Sequence, residues 1–165
     1  MKTHDPTDVT CRAIMDPAPA VLAPETTFAA AVQMLLDRRL LAMPVVDAAG
    51  RYLGIFRKNL VISNVLPQVA LHDDRFNQVV RLINAGLIRD NLHEVHDRFA
   101  AIAQDPVSRH ADKAAPVLAP DQPLVTALYF LYRGRNFLPV VDPASGRLLG
   151  VVSTWDVLET MMNKP

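Results

Sequence analysis

The side chains in this 165-residue chain whose types and spacing could do chemistry fall into a few small groups. Ser153 and Asp156 stand three residues apart, immediately ahead of an apolar run. That is the spacing of a capping box, in which a hydroxyl and a carboxylate close a helix N-terminus between them. A helix start also offers free N–H groups and the positive end of the dipole to a phosphate. Arg57 and Lys58 open a second helix-like run. Cations there oppose the macrodipole at a cost of about 0.3–1 kcal/mol each, which a bound anion would relieve. Two solvated cations on an exposed turn are the alternative. His93-Glu94-Val95-His96-Asp97 places two imidazoles on one helix face, and His72-Asp73-Asp74 could add ligands. A zinc-hydrolase signature would need its second histidine one place later, so a charged solvated face is expected and no metal site. Cys11 has no spacing that ties it to a base and reads as a buried or inert thiol.

Composition narrows the field. Half of the residues are apolar and 21% are charged, an ordinary globular balance. Lys plus Arg equals Asp plus Glu, giving a formal net charge of zero. That argues against a nucleic-acid binder, which carries a basic excess. The lone cysteine excludes an internal disulfide and fits a reducing compartment. The N-terminus has no apolar signal core. No apolar run approaches the roughly 20 residues that cross a bilayer. A cytoplasmic protein without membrane insertion is expected.

The elements that must position these groups come as an internal repeat. Val21-Leu22-Ala23-Pro24 recurs 96 residues later as Val117-Leu118-Ala119-Pro120. Met43-Pro44-Val45-Val46-Asp47 recurs 95 residues later as Leu138-Pro139-Val140-Val141-Asp142. Leu53-Gly54-Ile55 recurs 96 residues later as Leu149-Gly150-Val151. Three matches in one order at nearly one offset mark a duplicated unit.

Each copy reads β-α-β-β-α. In the first, Val21-Leu22 is a short extended segment stopped by Pro24. Thr26 or Thr27 then caps a helix whose Phe28, Val32, Leu35 and Leu36 recur at helical spacing and face a core. Pro44-Val45-Val46 is a buried strand with proline at its start, where a missing N–H is tolerated. After a turn at Ala48-Ala49-Gly50, Tyr52 to Phe56 is a second strand, and Lys58 to Leu66 a helix ending at Pro67. In the second copy the helices are Pro123 to Arg133 and Thr154 to Met162, and the strands Leu138 to Val141 and Leu148 to Val152. The fold class is α/β of α+β type, with the two units related by a pseudo-twofold axis and sharing one core.

The Val-Leu-Ala-Pro lead-in, the hydrophobic-Pro-Val-Val-Asp strand and the segment from Gly146 to Val157 resemble the CBS domain family, whose members usually come as tandem pairs (Bateman modules). The resemblance implies one repeat over 9–67, a helical insertion over 68–105 and a second repeat over 106–162. Such pairs commonly bind AMP, ADP, ATP or S-adenosylmethionine in clefts between repeats and regulate another protein. The family's ribose-binding pattern, Ser/Thr-x-x-Asp after the last strand of a repeat, falls on Ser153 and Asp156. A carboxylate suits that role because it accepts hydrogen bonds from two adjacent hydroxyls. In the first repeat Arg57 and Leu60 stand at these positions. Leucine cannot hold a ribose, so at most one standard nucleoside site is expected. By the same resemblance Arg57 and Lys58 face the ligand's phosphates. The walls around the base come from Leu41, Ala42 and Asn136 and from Ala20 and Val21.

The insertion matches neither repeat. Phe76, Val80, Ile83 and Leu87 form one apolar stripe, and Ile88, Leu92, Val95, Phe99 and Ile102 another. The phase slips just after Gly86, which predicts two amphipathic helices or one kinked helix. Asp73 or Asp74 would cap the first and Asp90 or Asn91 the second. The stripe packs on its own repeats, across a dimer or on a partner, and a homodimer that includes it is expected. The functional expectation is a non-catalytic module that binds an adenine nucleotide and signals to an unknown regulated protein, with no required cofactor. The alternative is a scaffolding CBS protein acting through protein contacts of the insertion. An enzyme is not expected.

Overall fold

The computed structural model describes residues 9–71 and 76–162. Each repeat opens on one extended residue: Leu22 bridges Val45 in parallel, and Leu118 bridges Val140 in the same way. Thr27 is the cap of α2 (Phe28–Arg38), its Oγ1 accepting from the Ala30 N–H at 3.2 Å. Phe28 and Leu35 are buried on this helix, but Leu36 is 59% exposed, against expectation. One residue on from Leu35 turns a side chain about 100° around the helix and off the core face.

β1 (Ala42–Val46) and β2 (Tyr52–Arg57) form an antiparallel hairpin, and β3 (Phe137–Val141) and β4 (Leu148–Ser153) form its counterpart. Pro44 and Pro139 lie inside their strands, not at the starts. Pro44 faces Ile55, whose own N–H and C=O both turn outward to Asp112. Pro139 faces Val151, whose groups turn outward to Asp16. Neither proline sits where the hairpin needs a donor, so neither costs a ladder bond.

Those outward bonds join the repeats. Ile55 donates to the Asp112 carbonyl at 3.1 Å and accepts from its N–H at 2.9 Å. Val151 donates to the Asp16 carbonyl at 3.0 Å and accepts from its N–H at 2.8 Å. Asp112 leads into the second repeat and bridges the first, while Asp16 leads into the first and bridges the second. The hairpin turns also exchange bonds. The Tyr52 N–H donates to Gly146 O at 2.9 Å and the Leu148 N–H to Gly50 O at 3.0 Å. Every link is made in both directions, as a pseudo-twofold arrangement requires.

The core is divided, which corrects the expectation of a single shared one. α1 (Cys11–Ile14) opens the first repeat but buries Cys11 and Ile14 with Leu118, Leu138, Val140 and Val152 of the second. Val107 opens the second repeat but is buried with Leu22, Phe28, Val45 and Phe56 of the first. Each lead-in must follow its bridge to the opposite sheet and carries its apolar side chains there.

α7 (Leu124–Tyr132) and α8 (Thr154–Met162) complete the second repeat, and α3 (Lys58–Val65) the first. The insertion holds α4 (Gln68–Leu71), α5 (Phe76–Asn84) and α6 (Leu92–Ile102). The chain breaks between α5 and α6 near Gly86, whose φ is 71°. That is the first of the two arrangements the phase slip allowed. Asn91 caps α6, its Oδ1 accepting from the Glu94 N–H at 3.0 Å. The caps proposed at Asp73 and Asp74 lie outside the described residues. α6 packs on the first repeat: Phe99 meets Phe28 edge-on at 5.9 Å, and Arg98 Nε donates to Val65 O at 2.7 Å. Leu87 and Leu92 stay 74% and 83% exposed, so only part of the stripe is covered. Among the described residues no helix is long and apolar enough to cross a membrane.

Candidate ligand site between the repeats

The end of β4 delivers Ser153 to the first turn of α8, and Asp156 completes that turn. The Ser153 N–H donates to Asp156 Oδ2 at 2.6 Å and the Ser153 hydroxyl to the same oxygen at 2.7 Å. The Asp156 N–H points back to Ser153 Oγ at 3.4 Å. This is a reciprocal capping box. It occupies one carboxylate oxygen, and Oδ1 has no hydrogen-bond partner among the described residues.

The box borders a cleft of about 380 Å³ lined by both repeats. Leu40 and Leu41 come from the approach to β1, Asn136 and Phe137 from the approach to β3, and Asp16 from the strap across β4. Ser153, Asp156, Leu41 and Asn136 were expected to meet, and they do. Ala20 and Val21 were expected in the same wall and are elsewhere. Ala20 packs on the first-repeat core, and Val21 lines another hollow with Val46 and Leu149. The strap explains the difference: the residue that reaches the cleft from the first lead-in is Asp16, fixed by its bonds to Val151.

Arg57 and Lys58 border a hollow of about 50 Å³, with Ala42, Arg135 and Asn136. It is far below the roughly 300 Å³ at which small-molecule pockets begin. It adjoins the larger cleft through Leu41, Asn136 and Phe137, which line both. Arg57 already has an anion, because its guanidinium pairs with the Asp112 carboxylate. That pair spans the two repeats and supplies the negative charge that the start of α3 called for. Lys58 has no ion-pair partner among the described residues. Leu60, at the position of Asp156, packs against the first-repeat core, so the first repeat lacks an equivalent carboxylate. Beside the ion pair, the Tyr52 hydroxyl is buried with no hydrogen-bond partner among the described residues. Burial pushes its phenol well above the ordinary tyrosine value; the Asp112 charge adds to this and Arg57 opposes it.

Asp16, Arg39, Phe137 and Trp155 also line the cleft and were missed. A signal existed for Asp16: Asp112 stands 96 residues after it, the offset of the repeat. The histidines of α6 are exposed. His93 lies 3.5 Å from Asp97 in an exposed pair, and no cluster able to hold a metal occurs among the described residues. His72 and its acidic neighbours lie outside those residues. Cys11 is fully buried, and burial raises its thiol above the usual range, which makes it unreactive.

No curated protein matches the chain significantly. Solved structures share its fold. A CBS domain-containing protein of unknown function from Bacillus anthracis str. Ames Ancestor is 15% identical with a TM-score of 0.67, over 95% of each chain. CBSX2 in complex with AMP is 18% identical with a TM-score of 0.65, over 93% of this chain and 96% of that one. The CBS domain pair of MJ0100, in complex with 5′-methylthioadenosine and S-adenosyl-L-methionine, is 13% identical with a TM-score of 0.58, over 94% and 97%. The family model for the CBS domain matches twice, over residues 11–66 and 107–163. With two matches in register, covering well over half of its length, this chain belongs to the CBS domain family as a tandem pair.

Proposed function

We propose that the chain is a non-catalytic regulatory module that binds an adenine nucleotide in the cleft beside Ser153 and Asp156 and reports it to a partner protein. The observation that carries this is the free Oδ1 of Asp156, held by the capping box at the edge of a cleft of about 380 Å³. The cap fixes the carboxylate before any ligand arrives, so little ordering entropy is lost on binding. Asp156 would accept from the ribose hydroxyls, and the first turn of α8 would face the phosphate. Leu41 and Asn136 would border the base, and Lys58 a longer phosphate chain. The AMP complex of CBSX2 and the methylthioadenosine and S-adenosylmethionine complex of MJ0100 support this ligand class. A homodimer belongs to the same proposal, with Leu87 and Leu92 as the exposed remainder of the insertion stripe.

The scaffolding reading has its own support, since Arg57 and Asp112 fill the equivalent place in the first repeat and the Ser153–Asp156 box is complete as a cap. Thermal unfolding with AMP, ADP, ATP and S-adenosylmethionine separates the two. A ligand at 100 times its dissociation constant stabilises by about 2.7 kcal/mol. For a domain of this size that is about 5–11 °C. The sensor reading expects one ligand to shift the wild type and not Asp156→Ala. No shift with any of the four would leave the scaffold.

A further inference from the structure

Arg39 is the only non-glycine with positive φ among the described residues, at 54°. It ends α2 in the left-handed conformation, where a Cβ is crowded. The second repeat makes the corresponding turn with glycine: Gly134, 95 residues on, has φ 84°. The first repeat therefore carries a strained arginine where its twin carries the residue that the backbone prefers. Arg39 lines the cleft that holds Ser153 and Asp156. Its side chain is exposed and has no ion-pair or hydrogen-bond partner among the described residues. Neither carboxylate of the same cleft pairs with Arg39, and one oxygen of each is bound elsewhere. Asp16 Oδ1 accepts from the Ala18 N–H at 2.9 Å, and Asp156 Oδ2 is held by Ser153.

Strain kept at a binding cleft, around a cation without a partner, is the pattern of a group reserved for a ligand. We infer that Arg39 is a specificity-determining residue that makes the cleft select an anionic nucleotide over the uncharged nucleoside. The inference rests on the proposed nucleotide site and adds the requirement for negative charge. A guanidinium pairs with a phosphate through two parallel hydrogen bonds, which adenosine cannot accept.

The test is calorimetric titration of the full chain with AMP and with adenosine, for wild type, Arg39→Gly and Arg39→Gln. Wild type is expected to bind AMP at least about tenfold tighter than adenosine, the size of one charge-assisted contact. Both variants are expected to lose about tenfold in AMP affinity and nothing in adenosine affinity. Arg39→Gly is expected to melt no lower than wild type, because glycine is relaxed at that φ; a purely structural arginine would not change the AMP-to-adenosine ratio. Unchanged AMP affinity in both variants, or equal binding of AMP and adenosine by wild type, overturns the role of Arg39 and leaves the site standing. Failure of wild type to bind either compound overturns the nucleotide reading and this inference with it.

Discussion

Replacing Gly150 with alanine tests how the cleft is built. A Cβ on Gly150 would lie 2.4 Å from the Asp16 carbonyl oxygen and 3.0 Å from Met15 Sδ. The sulfur can move, but the oxygen belongs to the backbone, so the strap that carries Asp16 must lift off β4. Overpacking of this kind costs about 1–3 kcal/mol. Lifting the strap also breaks the 2.8 and 3.0 Å bonds between Asp16 and Val151. Each contributes about 0.5–1.5 kcal/mol, so the total is about 2–6 kcal/mol. Near the middle of that range the melting temperature falls by about 8–16 °C. Gly146→Ala is the control. Gly146 has φ 71° but nothing within 4 Å of an added Cβ, so only backbone strain is introduced. That loss is about 1 kcal/mol, or about 2–4 °C. Differential scanning calorimetry and urea unfolding read both variants. If Gly150→Ala loses no more than Gly146→Ala, the strap is not held as described. AMP affinity should fall only in Gly150→Ala, because the displaced strap changes the wall of the cleft.

Three further outcomes follow from the same geometry. Asp156→Ala removes the acceptor from the capping box and should cost about 0.5–2 kcal/mol in urea unfolding, besides abolishing the AMP shift. A variant as stable as wild type would show that the box adds nothing. Asp112→Asn strips Arg57 of its counter-ion and should cost about 1.5–3 kcal/mol. It also removes a negative charge beside a desolvated phenol, so the Tyr52 pKa should fall, although burial keeps it raised. Ultraviolet titration reads this against the exposed Tyr129 and Tyr132, and an unmoved last transition would refute the coupling. At low pH, Asp47 is held below the ordinary aspartate value first by the Arg51 N–H, and Asp142 first by the Ser145 hydroxyl. Asp105 is held down first by its hydrogen bond to His110. A depressed folded pKa gives stability that is present above the unfolded value, about 3.9, and is lost as pH falls through the folded one. The melting temperature should be flat in this contribution near neutrality and fall below about pH 4. Asp142→Asn should flatten that acid limb, and an unchanged slope would count against it.

The offset of 95 to 96 residues between Pro44 and Pro139 and between Gly54 and Gly150 was enough to establish the duplication and the order of elements. Local rules placed Thr27 and Asn91 among the candidate caps, because a cap depends on residues three positions apart. The same locality made Ser153 and Asp156 legible, both as a box and, by family resemblance, as a ligand edge. What it could not show was where the lead-ins go. Asp16 and Val107 bond and pack in the repeat to which each does not belong, across separations that no local pattern encodes. For that reason Ala20 and Val21 were assigned to a wall that Asp16 occupies, and one core was expected where two exist. Arg57 read as an unpaired cation because Asp112, its counter-ion, lies 55 residues away in the chain. Arg39 gave no signal in the sequence, because nothing in its residue type reveals a left-handed φ. Residue type and short-range spacing determined the elements, their caps and one carboxylate. The exchange of straps between repeats, a long-range pairing set by the sheet edges, decided which side chains share the cleft.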